Sequence, residues 1–106
     1  MSYLGNLTFR LTAGALQLPG DFRQRHAAYL AASQRADGGF AGRLGGSDLY
    51  YTGFALRGLT LLGALPEEAA ERAAAFLQSQ LGRELAPVDF LSLVFSSVLL
   101  ELSHGF

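Results

Sequence analysis

The sequence predicts an all-α fold of about five helices arranged as helical hairpins. Three observations lead there. Apolar residues recur at three- and four-residue spacing through most of the 106 positions, the period of a helix face. Pro19-Gly20, a run with five glycines between Ala36 and Ser47, the stretch from Gly63 to Pro66, and Pro87 punctuate that pattern where helices must stop or start. A charged, one-faced segment is followed by one that is apolar on most sides, twice over, as outer helices shielding inner ones would be.

The first helix runs from about Leu4 to Leu16, with Leu4, Leu7, Leu11 and Ala15 on one stripe and Gly5 and Gly14 weakening it. Asp21 is placed to cap a second helix that runs to about Arg35, its stripe formed by Phe22, His26, Tyr29 and Leu30. Ala36 to Ser47 is a loop. Ser47 or Asp48 caps a third helix to about Leu62, and Gly63 suits the position after its end. Leu49, Thr52, Leu56 and Leu59 line one side of that helix and Tyr51, Phe54, Ala55 and Leu62 much of the rest, so burial on several sides is expected. Pro66, with Glu67 and Glu68 behind it, opens a fourth helix. Its inward stripe is Ala70, Ala73, Ala74, Leu77 and Leu81, and Glu68 and Arg72 stand at supportive i, i+4 spacing. Pro87 opens a fifth helix, Val88 to about Ser103, nearly free of charge.

Composition narrows the function. Half the residues are apolar and 16% are charged, rich in hydrophobes for a soluble monomer of this length. A formal charge of −1, with eight Arg and no Lys, gives no electrostatic pull toward nucleic acid or anionic lipid. With no cysteine there is no disulfide, thiol nucleophile or thiolate metal site. The N-terminus is a poor signal peptide, and the most apolar run, Phe90 to Leu102, is short of the roughly 20 residues of a membrane span. A cytoplasmic protein without a span is the expectation.

The densest motif is Gln34-Arg35-Ala36-Asp37-Gly38-Gly39-Phe40. Gly38 and Gly39 let the chain leave a helix through conformations closed to other residues, Phe40 folds back on the hairpin, and Gln34 and Asp37 satisfy free backbone groups. The loop ends without G-K-[ST] and follows no strand, so it is not a P-loop, although a helix start near Arg43 suits a diphosphate. This element resembles the Q-x-x-D-G-G-[FW] repeat of the prenyltransferase β-subunit and squalene/terpenoid cyclase superfamily. Tyr29 to Gln34 echoes Phe76 to Gln80, and Asp48 to Thr52 echoes Asp89 to Ser92, at offsets of roughly 41 to 46 residues, one hairpin.

The resemblance implies an α-α toroid around an apolar, isoprenoid-sized cavity. Such a ring takes about six hairpins. This single repeat domain, residues 1–106, would supply two, about 22–63 and about 66–103, plus an N-terminal helix: a partial toroid, too short to close alone. Gly38-Gly39-Phe40-Ala41-Gly42-Arg43 and Asp48-Leu49-Tyr50-Tyr51 are similar to the G-G-[LF]-x-G-R and D-x-C-Y stretches of the zinc prenyltransferases. Tyr50 replaces the Cys, so the zinc site loses a main ligand and Asp48 reads as a helix cap. The D-x-D-D acid of the cyclases is absent as well, and the four aspartates are scattered. No catalytic residue, metal or cofactor is assigned.

The residues expected to line a ligand surface are Tyr50, Tyr51 and Phe54, with Asp48 and Arg43 at its mouth; Gln34, Asp37, Gly38, Gly39 and Phe40 are expected to be structural. His26 is expected to pack inward, and nothing near His104 completes a ligand set. Three functions follow: a repeat segment that holds an isoprenoid, a prenyl diphosphate or a protein partner without chemistry of its own; part of a prenyltransferase or terpene cyclase whose catalytic groups lie elsewhere; or a structural helical oligomer. Self-association or the remainder of a toroid would cover the apolar fifth helix.

Overall fold

The computed structural model describes residues 2–43 and 45–105, and Leu4 only in its backbone. Within them the chain is all-helical: α1 Tyr3–Leu16, α2 Gly20–Ala32, α3 Leu49–Leu61, α4 Glu67–Ser79 and α5 Pro87–His104. No strand occurs among the described residues, and one isolated antiparallel bridge joins Gln34 to Phe40.

Helix ends follow local chemistry. The Ser2 hydroxyl accepts from the Gly5 N–H at the start of α1, and the Asp48 carboxylate accepts from the Tyr51 N–H at the start of α3. Gly63 (φ 66°) and Gly105 (φ 77°) take left-handed backbone just past α3 and α5. Asp21 is not the cap of α2: the helix begins at Gly20, with Pro19 before it, and Asp21 lies in the first turn beside the positive end of the dipole.

The core gathers Phe40 from the loop, Leu49, Ala55, Leu56 and Leu59 from α3, Ala70, Ala73, Phe76 and Leu77 from α4, and Leu93 and Leu100 from α5. The most extensive helix contact is between α3 and α5. These two run in the same direction. Gly53 packs against Ser96 and Ser92, and at the C-terminal end of α5 the His104 ring lies 3.2 Å from the carbonyl of Leu65, just past α3. A Cβ on Gly53 would stand 3.2 Å from the Ser96 Oγ, so the pair of small residues sets the close approach. That Oγ is buried without a partner. α2 lies on α3 through Ala27 and Leu30, and Leu30 fits because Gly58 has no side chain: a Cβ there would fall 2.7 Å from Leu30 Cδ1.

Several expectations are corrected. α2 ends at Ala32 rather than Arg35, because Ser33 and Gln34 turn into pairing with the loop: the Ala41 N–H donates to the Ser33 carbonyl (3.0 Å) and the Arg35 N–H to Gly39 (2.7 Å). Phe22 and Tyr29 are exposed, and His26, also exposed, makes a tilted ring contact with Phe22, centroids 4.3 Å apart. α4 buries Phe76 in place of Leu81, which lies past the helix end in solvent. α3 meets α5, α2 and α1, and Ala55 is buried as expected, but the helix is not covered all round. Leu49, Thr52, Leu56 and Leu59 are covered as expected, whereas Tyr50, Tyr51 and Phe54 are about half exposed because they border open depressions between α3 and its neighbours. In α1, Leu7 and Leu11 stay exposed, and Leu4 of the same stripe falls outside the described side chains. α5 is 18 residues, longer than its most apolar run, with a mean hydropathy of 1.2; by length and composition alone it is able to cross a membrane.

Candidate functional site

The loop from Gln34 to Asp48 is held by its own polar groups. Gly38 adopts φ 93°, and the Gly38 N–H donates to the Arg35 carbonyl. Asp37 Oδ1 accepts from the Gly39 N–H (3.0 Å) and from the Ser47 hydroxyl. Gln34 Nε2 donates to the carbonyls of Gly38 and Ala69, both at 3.0 Å, which ties the loop to the first turns of α4. Arg72, expected to pair with Glu68, reaches the other way: its guanidinium donates to Gln34 Oε1 (3.3 Å) and to the Arg35 carbonyl (2.9 Å). Phe40 is fully buried. Its N–H donates to Thr52 Oγ1 (2.9 Å) and its carbonyl accepts from the Asp48 N–H (3.0 Å).

The five candidate ligand residues do not share one surface. Tyr51, Phe54 and Arg43 meet in an open groove of about 610 Å³ between α2, the loop and α3, joined by Tyr29 and Arg35. Gly42 forms its floor beside Tyr51, where a Cβ would come within 2.7 Å of the ring. Tyr50 makes an edge-to-face contact with Tyr51 but lines a separate depression of about 120 Å³ with Gly53, Val88 and Phe95. Asp48 lies in a third, of about 270 Å³, with Asp37, Ser47, Arg83 and Asp89. Helical geometry explains the division: successive residues of α3 point about 100° apart, so Tyr50 and Tyr51 face different neighbours.

No family model, curated protein or solved structure matches the chain. The residues that carry the resemblance are therefore read by what they touch. Among the described residues no group of three or more His, Cys, Asp or Glu is placed to hold a metal ion. Asp48 has a visible task, its carboxylate capping α3. Asp48→Ala is expected to lower stability by about 1 kcal/mol and Asp48→Asn by much less, since the amide oxygen caps as well. Thermal unfolding of the two variants checks this, and equal losses would mean that the charge matters more than the cap.

Sequence reasoning passed over two groove residues. Tyr29 was assigned to the inward stripe of its helix and Arg35 to a helix end. The signal available for Tyr29 was its helical spacing from Ala32 and Ser33, which line the same wall. For Arg35 no signal precedes the fold, because its position depends on the loop closing over it.

Proposed function

We propose that this chain is a non-catalytic binding segment of a partial helical toroid, and that it holds a prenyl diphosphate in the groove between α2 and α3. One observation carries the reading: aromatic side chains of Tyr29, Tyr51 and Phe54 share a groove with the guanidinium side chains of Arg35 and Arg43. Apolar and aromatic walls suit an isoprenoid chain, and two guanidiniums suit a diphosphate, which they grip by charge-assisted hydrogen bonds. The volume of about 610 Å³ lies within the roughly 300–1,000 Å³ of small-molecule sites. Support for the toroid comes from the parallel run of α3 and α5 with α4 returning along α5, together with the loop motif that resembles the prenyltransferase repeat. Among the described residues no acid pair or metal cluster lines the groove, and the reading is one of binding without turnover.

Titration with farnesyl diphosphate and with farnesol, followed by calorimetry, tests the reading. Binding of the diphosphate is expected. The double variant Tyr51→Ala/Phe54→Ala is expected to weaken it at least about tenfold, as loss of two large apolar contacts implies. Arg43→Ala is expected to weaken the diphosphate and leave the alcohol unchanged. Absence of binding by either ligand would leave the structural oligomer, and release of diphosphate on incubation would make the chain an enzyme.

A further inference from the structure

α5 carries an apolar face that no other element covers among the described residues. Of its 18 residues only Leu93, Ser96 and Leu100 are buried. On the opposite side Val88, Leu91, Phe95, Val98 and Leu102 are between 47% and 82% exposed. They follow one another at spacings of three, four, three and four residues. This is an unbroken heptad seam, the pattern by which one helix packs along another. We infer that α5 pairs antiparallel with α5 of a second copy, about a two-fold axis at Phe95.

The seam is complementary to itself. Val88 and Leu102 each lie seven residues from Phe95, and Leu91 and Val98 lie four and three residues from it. Turning one copy about Phe95 sets Val88 level with the partner's Leu102 and Phe95 level with its own counterpart, while Leu91 and the partner's Val98 interleave one residue, about 1.5 Å, out of level. A β-branched side chain thus meets a leucine on either side of a central Phe95 pair, and the contact is the same from both sides, as a two-fold requires. Charge favours this direction. A parallel pair would collect both negative helix ends and both Glu101 side chains at one end, whereas the antiparallel pair sets each Glu101 toward the positive end of the other helix. Asp89, at that end, lies in the depression with Arg83 instead of on the seam.

The area is adequate. Taking roughly 100 Å² for a large apolar side chain at about half exposure, the seam with Val94 beside it offers on the order of 600 Å² per copy, the low end of what each side of a standard interface buries. Beside the seam, the depression lined by Tyr50, Val88 and Phe95 is open to receive a side chain of the partner. The pairing uses α5 and leaves the groove between α2 and α3 free. It goes beyond ligand binding and stands or fails separately from it.

The absence of cysteine makes the test direct. The whole chain is weighed by light scattering, and Val88→Cys and Leu102→Cys are oxidised separately and as a mixture. A mass of two chains is expected, with the mixture cross-linking Val88→Cys to Leu102→Cys and Leu102→Cys alone staying uncross-linked. Phe95→Glu, on an exposed position, is expected to give a monomer of unchanged helix content. Any mass other than two chains overturns the pairing, as does a Leu102→Cys self-cross-link or an unchanged mass for Phe95→Glu. A monomer that floats with neutral phosphatidylcholine vesicles also overturns it and assigns the face to a bilayer surface.

Discussion

Phe40→Ala is expected to lower the unfolding free energy by about 3–5 kcal/mol, measured by urea denaturation under circular dichroism. Phe40 is fully buried in the cluster that joins α3, α4 and α5. Removing its ring deletes the transfer energy of a phenyl group and leaves a hole that the surrounding helices close only in part. The backbone around it cannot follow easily, because the Phe40 N–H is fixed to Thr52 and its carbonyl accepts from Asp48. A domain of this size holds roughly 5–15 kcal/mol in total, so the variant would stand near its unfolding threshold. Phe40→Leu keeps much of the volume and is expected to lose about 1–2 kcal/mol. A loss below about 1 kcal/mol for the alanine variant would place the ring outside the core.

Gly38→Ala is expected to be comparably damaging, by about 3 kcal/mol or more. Two effects add. The residue has φ 93°, where a side chain is strained, and its Cβ would fall 1.8 Å from the Arg72 carbonyl oxygen, a backbone atom of α4 that cannot swing aside. Either the loop or the helix must retreat, and with it the hydrogen bonds from Gln34 and Arg72. Gly45→Ala separates the contributions. Its φ is 92°, yet nothing lies within 4 Å of its Cβ, so only the conformational part, about 1–2 kcal/mol, is expected. Equal losses for the two variants in the same urea experiment would show that the contact with α4 contributes nothing.

Much of the helical layout is legible in the sequence because it is written in local chemistry. Asp48, Pro66 and Pro87 mark helix starts, Gly63 marks an end, and the structure agrees within a residue or so. The covered side of α3 follows from spacing alone. Exposure on the other side does not, since an apolar residue reads the same whether or not a neighbour arrives to cover it. Tyr51 and Phe54 were therefore expected to be more buried than they are, whereas α5, nearly free of charge along its length, already read as a face in need of cover. Arg72 shows a second limit. Its distance along the helix from Glu68 suggests a surface pair, but folding brings the Gln34 side chain and the Arg35 carbonyl within reach of its guanidinium, which bonds to them. The candidate ligand residues were chosen as near neighbours in sequence, and the turn of the helix sends Tyr50 and Tyr51 into different depressions.

The bonds from Gln34 and Arg72 span 35 to 38 residues of chain. They cross the boundary that the repeat pattern suggests, between residues 63 and 66. Neither half is thus a module that folds and then docks. The loop that ends α2 takes its final form only when α4 is already beneath it, and Phe40 in turn fills the space under α3 and α5. Contacts of such sequence separation form late and reward the chain only together, so the two hairpins rise and fall as one cooperative unit. Cutting the chain between them would leave two unfolded pieces instead of two small domains.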